Sequence, residues 1–245
     1  MTLAQAQAVV ARLLAEPGFL VRFRQDPERV LRDFDLTPEE AAALLRLDLA
    51  RIGMVCEGYA GKRAERVESA FPWTLRALGA EATPLVRAHL AAFPAGREEA
   101  EELAAFAQRV RDHPLPAWRA RLAHDLLDAE AALRAQAPGP GPSEARWSGG
   151  LRVRLAPGLA RLRARGDLAG ALAAGGWTDY AERPTDVLVR ATPRGPRAEA
   201  LAAEDARLLD AVASGATVAE AARTPEAEAR LRRWYAAGIL VASQS

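Results

Sequence analysis

The sequence predicts a mainly α-helical protein: an N-terminal helical bundle followed by a smaller C-terminal α/β domain of winged-helix type. Three observations carry that expectation. Apolar residues recur at helical spacing throughout residues 1–137. A proline- and glycine-rich stretch, PGPGPSEARWSGG at 138–150, can sustain neither a helix nor a central strand and reads as a linker. Beyond it, residues 151–245 combine short branched-apolar runs with a helix, turn, helix and terminal strand.

The elements follow in order. Leu3, Val9, Val10, Leu13 and Leu14 mark a first helix that ends at Pro17-Gly18. After a short apolar stretch, Asp26-Pro27 supplies an N-cap and a proline at the first helical position, with Val30, Leu31 and Phe34 as the buried stripe. Thr37-Pro38-Glu39-Glu40 has the spacing of a capping box and opens a long run through Leu44, Leu47, Ile52 and Val55. Residues 1–50 form an additional helical module on this pattern. The helical run through Lys62 to Val67 continues to Phe71-Pro72-Trp73, where proline removes a backbone donor and restarts the helix, and Gly79 stops it. Helices are expected from Thr83-Pro84 to Phe93, from Glu98 to Val110 and from Ala117 to Leu133. In the second domain LRVRL (151–155) and DVLVRA (186–191) read as strands, Leu201 to Val212 as a helix, Thr217 as the cap of a short helix, Pro225 to Gly238 as another, and Ile239-Leu240-Val241 as a closing strand.

Composition narrows the function. The chain has 245 residues, half of them hydrophobic, which is enough apolar material for two cores without covalent staples. One cysteine, Cys56, excludes an internal disulfide, and three histidines show no zinc-ligand spacing, so neither metal nor cofactor is expected. The start MTLAQAQAVVARLLAEPGF lacks the features of a secretory signal, and no apolar run approaches the ~20 residues of a membrane span, so a cytoplasmic location without membrane contact is expected. A net charge of +1 argues against nucleic acid as the main partner. Lys62 is the only lysine, and most of the arginines are expected on the solvated surface.

No nucleophile elbow, phosphate loop, dinucleotide fingerprint or HExxH motif is present, so no catalytic residue is assigned. His124 and Asp128 share a helix face, but that helix, with Asp125 and Glu130, reads as a solvated face with local ion pairs. His89 and His113 read as surface or helix-end residues, and Cys56 as a small buried hydrophobe. Two segments point to binding. Arg230, Leu231, Trp234 and Tyr235 lie on what would be a recognition helix, beside Arg232 and Arg233. Phe71-Pro72-Trp73 gathers two aromatics at a kink, a natural anchor if exposed.

The stretch KRAERVESAFPWTLRALGAEATPLVRAHLAAFPAG carries Arg63, Phe71, Pro72, Leu78, Gly79 and Glu81. It is followed by ELAAFAQRV, HDLLDAEAAL, LAPGLARL, DVLVRA, LAAEDARLLDAVASGATVAEAA and WYAAGIL. In this order the motifs resemble the partner subunits of multinuclear non-heme iron-dependent oxidases, the group that includes the methanobactin-biosynthesis partner protein and relatives also described as DNA-binding domain proteins. The resemblance covers roughly residues 60–243, whereas residues 1–50 look more like the small helical module of ring-opening dioxygenase small subunits and certain peptide leaders. It implies a non-catalytic subunit that docks on a TIM-barrel iron oxidase as a heterodimer and presents a ribosomal precursor peptide. On that expectation the peptide adds to a strand edge at Val187, Leu188, Val189 and Arg190, next to a helix bearing Arg230, Leu231, Trp234 and Tyr235. Arg63, Phe71, Pro72 and Trp73 would face the oxidase. The rival expectations are a DNA-binding regulator, recognised by steep salt dependence, and an accessory small subunit of a ring-opening dioxygenase.

Overall fold

The computed structural model describes residues 3–93, 97–135, 147–174, 180, 182–192 and 195–243, and these fall into two compact units. Residues 1–72 with 79–113 make the first unit; residues 73–78 with 114–245 make the second.

The first unit is helical. Its helices are α1 (Leu3–Ala15), α2 (Pro17–Gln25), α3 (Pro27–Leu31), α4 (Pro38–Leu45) and α5 (Leu49–Ala70), and, beyond Gly79, α7 (Ala82–Ala92) and α8 (Glu99–Asp112). Pro17 does not simply end α1. It also occupies the first turn of α2, where its missing N–H costs nothing, so the expected apolar stretch Phe19, Leu20, Phe23 is a helix. Asp26 accepts from the Arg29 amide to cap α3. Thr37 and Glu40 form the expected capping box, with Thr37 N–H donating to Glu40 at 2.9 Å and Glu40 N–H to Thr37 Oγ1 at 3.2 Å. The run beyond it is broken rather than continuous, because Asp48 accepts from the Ala50 and Arg51 amides and starts a new helix, α5. Val9, Leu13, Phe19, Leu20, Phe23, Leu31 and Leu44 form the core of this module.

The second unit holds α6 (Pro72–Leu78, from Trp73 onward), α9 (Ala117–Ala135), β1 (Val153–Leu155), β2 (Leu159–Gly166), α10 (Leu168–Ala174), β3 (Glu182–Thr192), β4 (Gly195–Ala200), α11 (Ala203–Ala213), α12 (Val218–Ala221), α13 (Pro225–Ala236) and β5 (Leu240–Ala242). An antiparallel sheet of order β2-β3-β4 is accompanied by a two-stranded ladder, β1-β5. One face of the larger sheet, with Leu162, Ala164, Val187, Val189 and Ala198, packs on Leu122, Leu126 and Ala129 of α9 and Leu168 of α10. On the other face Leu159 and Leu188 join a second core with Leu208 and Leu209 of α11, Leu231 of α13 and Leu240 and Val241 of β5.

Two expectations change here. The compact unit containing the sheet takes in residues 73–78 and runs on from Pro114 rather than starting after 138–150, because Leu122, Leu126 and Ala129 of α9 share one core with the sheet. The expected linker lies largely outside the described residues, which resume at Trp147. The three-stranded sheet was also legible only at its middle strand. β2 reads LARLRARG, residues that favour helices, and β4 contains Pro196 and no branched apolar residue.

Thr37→Ala removes the side-chain half of the capping box and is expected to cost about 1 kcal/mol. This is read as a lower urea midpoint at unchanged slope; an unchanged midpoint would show that the box contributes nothing.

Candidate functional site

The chemistry in the second unit is organised by α9. Asp125 is fully buried and its carboxylate accepts from the Arg165 amide (2.7 Å), the Gly166 amide (3.3 Å), the Tyr180 hydroxyl (2.7 Å) and Arg165 Nη1 (2.7 Å). These contacts hold the place where the β2–β3 register shifts between Ala164 and Gly166. A bulge leaves backbone donors without ladder partners, and a buried carboxylate satisfies them. Burial, reinforced by Asp125, raises the Tyr180 hydroxyl pKa, so the phenol stays a donor. One turn and a half further on, Glu130 accepts from the Trp73 amide (2.7 Å), the Thr74 amide (3.4 Å) and the Thr74 hydroxyl (2.6 Å), capping α6 from a distant part of the chain. Burial pushes its carboxyl up to about 7, against the lowering pull of these same hydrogen bonds. The acidic face of α9 is therefore internal at Asp125 and Glu130, not solvated as expected; sequence spacing alone does not reveal partners supplied by β2 and α6.

Several other expected site residues are structural. Arg63 is buried, with Nε 2.5 Å from Glu102 and Nη2 donating to the Phe93 carbonyl at 2.9 Å, while Arg66 reaches the other Glu102 oxygen at 3.2 Å. Phe71 is buried against Phe106. Arg63 and Phe71, expected at a partner surface, are buried and engaged within the first unit; Pro72 is exposed, and Trp73 is half-buried beside the core that α9 forms with the sheet. His89, expected at the surface, is buried between Phe93 and Phe106, and burial lowers its pKa. His113 is half-buried, 3.7 Å from Glu81. Cys56 is half-buried, its thiol donating to the Leu13 carbonyl at 3.3 Å and its pKa raised by burial. Among the described residues no group of three or more His, Cys, Asp or Glu side chains is placed to hold a metal ion, and no helix is long and apolar enough to cross a membrane.

On α13, Leu231 is core; Trp234 and Tyr235 are half-buried around the same core, with Tyr235 5.4 Å from the Trp147 ring. Arg230 is engaged by Asp205 (2.7 Å) and Glu204 (3.4 Å) of α11, and Arg232 by Glu228 (3.5 Å).

The strand expectation needs the clearest correction. Val187, Leu188, Val189 and Arg190 lie in β3, which pairs with β2 on one side and β4 on the other, and the three apolar residues are buried. β3 offers no edge. The edges are β2 and β4, each paired with β3 alone among the described strands; β4 is the more exposed, with Arg197, Glu199 and Ala200 exposed, whereas Leu159, Ala160, Ala164 and Gly166 of β2 are buried. The phase of β4 follows from the Leu201 amide donating to the Asp186 carbonyl. Residues 195, 197 and 199 exchange hydrogen bonds with β3, so the Pro196, Ala198 and Ala200 backbones turn outward.

The first unit carries an apolar groove of about 590 Å³ lined by Val10, Leu14, Leu44 and Leu47. Compared with known proteins, no family model and no curated protein matches the chain.

The folded chain holds the Glu130 proton to about pH 7, whereas an unfolded chain releases it near 4.5. Stability is therefore expected to fall as pH rises through that window and to level off above it. Glu130→Gln, which does not ionise, should flatten the dependence when melting is compared at about pH 5 and about pH 8; an equally steep dependence in the variant would assign it elsewhere.

Proposed function

We propose that this chain is a non-catalytic partner subunit that binds a ribosomal precursor peptide along β4 and presents it to an iron-dependent oxidase of the TIM-barrel, multinuclear non-heme class. The observation that carries the reading is the open edge of β4. An incoming extended peptide would find the outward N–H and C=O groups of Ala198 and Ala200 and the Pro196 carbonyl, on the more exposed of the two edge strands of the sheet. Backbone pairing supplies affinity with little demand on sequence, and side chains alternating above and below the sheet supply selectivity. The order of motifs shared with the oxidase partner subunits supports the same role. On this reading the oxidase supplies the redox chemistry, and the chain holds the peptide still and extended.

Within this proposal α11, α12, α13 and the β1-β5 ladder form a winged-helix-like unit, with α13 at the position of a recognition helix. Its role here is support. Arg230 is taken up by α11 and Arg232 lies near Glu228, which leaves Arg233 as the α13 arginine with no ion pair among the described residues to offer a phosphate backbone. That distribution favours a peptide over DNA. Unlike the starting expectation, the peptide edge is β4, and Leu231 contributes by packing instead of by contact.

The direct test is co-expression of the oxidase and precursor peptide from the same genome, with and without this chain, followed by mass analysis of the peptide. A mass change that requires this chain is expected; an identical change without it would overturn the presenter role. Ala200→Pro removes one outward N–H at an exposed edge position, where proline is tolerated. It should weaken peptide binding by about tenfold while leaving the melting temperature unchanged, and undiminished affinity would move the peptide off this edge.

A further inference from the structure

The face of the sheet turned away from α9 carries Arg161 and Arg163 on β2, Asp186 and Arg190 on β3, and Arg197 and Glu199 on β4. The fold supplies acids to Arg161, which lies against Asp186 at 2.9 Å and also pairs with Asp210 of α11. Arg190 and Arg197 are treated differently. They are directly opposite one another in the β3–β4 register, as a hydrogen-bonded pair, which places their Cα atoms about 5.5 Å apart with both side chains on one face. Both are exposed, and neither makes an ion pair or side-chain hydrogen bond within the described residues. Glu199 shares the face but pairs with neither arginine. Like charges directly opposite each other destabilise a ladder. A fold that gives Arg161 two acids leaves these two guanidinium groups, like that of Arg163 on β2, without one among the described residues, and Arg197 lies on an edge strand.

We propose that Arg190 and Arg197 together read an acidic side chain of an extended peptide paired with β4. The inference rests on β4 as the docking edge and names the chemistry of what docks there. In a strand added beside β4, the residue opposite Arg197 projects onto the arginine face, and its neighbours on either side project onto the other. A Glu or Asp at that position meets the Arg197 guanidinium directly, and Arg190, one strand further in, reaches toward the same carboxylate with its long side chain. Two guanidinium groups converging on one carboxylate give charge-assisted hydrogen bonds and remove the repulsion between them. The residue opposite Glu199, two positions along, falls on the same face next to a carboxylate, so a second acid there is disfavoured. The preferred peptide therefore carries one acid in register with Arg197 and a neutral or basic residue two positions away.

The test is selection of short random peptides displayed on phage against the full chain and against R190Q/R197Q. The variant is expected to melt no lower than the wild type, because a like-charge pair has been removed. Peptides enriched on the wild type should carry Asp or Glu at one fixed position and lack an acid two residues away. Their affinity for R190Q/R197Q should drop about tenfold, and the variant should enrich extended peptides without the acid. Wild-type enrichment with no acidic position, or the same acidic peptides enriched equally on both proteins, overturns the arginine proposal and leaves the edge intact. Selected peptides whose binding is indifferent to Ala200→Pro overturn the docking edge itself, as does a selection that enriches nothing on either protein. Binding of a labelled mixed-sequence DNA duplex that the wild type shows and R190Q/R197Q loses, with no acidic peptide enriched, would reassign the arginines to nucleic acid.

Discussion

Two buried carboxylates on α9, Asp125 and Glu130, are the constraint on which the second unit depends. A charge withdrawn from water is tolerated only where hydrogen bonds replace the lost hydration, and each of these acids is met by two backbone amides and a hydroxyl. Asp125 completes the irregular end of β2, and with it the entry to the β2-β3-β4 sheet; Glu130 completes the first turn of α6. Helix, bulge and cap are thereby fixed to one another by polar contacts, while Leu122, Leu126 and Ala129 of the same helix hold the sheet through apolar ones. Removing either carboxylate takes away one acceptor shared by several donors at once, a larger loss than that of one contact.

A sheet held firmly on one face by α9 can leave an outer strand such as β4 paired along one side only. β4 is exposed at Arg197, Glu199 and Ala200, contains a proline whose carbonyl faces outward, and carries two charged residues, Arg197 and Glu199, on one face, features by which natural edge strands avoid indiscriminate pairing. The same features allow selective pairing: proline limits the register, and charge limits the partner. The proposed peptide site and its proposed acidic preference are thus two aspects of one edge strand, positioned by α9 and α10 beneath it.

Legibility in the sequence followed the range of the interaction. Local signals were read correctly: the Thr37 capping box, the Thr217 cap, the Asp26-Pro27 start, the Phe71-Pro72 break and the Gly79 stop each act within a few residues. β3 was legible because its branched apolar core is buried on both faces. β2 and β4 were not, since their Ala, Arg, Leu and Pro content gains strand character only from pairing with β3. The expected strand edge was misplaced for the same reason. Val187 to Arg190 has the composition of a strand, but whether a strand is an edge or a centre is decided by partners elsewhere in the chain. Asp125, Glu130, Arg63 and His89 show the complementary limit: polar residues at helical spacing were assigned to the surface, and burial came from neighbours that only the fold provides.

The account stands on β4 being the strand that receives a peptide, and amide hydrogen exchange reports on that directly. In the free chain the outward amides of Ala198 and Ala200 should exchange rapidly while the β3 amides are slow. Addition of the precursor peptide from the same genome should protect Ala198 and Ala200, with no comparable change along α13. Protection confined to α13, or to the N-terminal helical module, with β4 unaltered would contradict it.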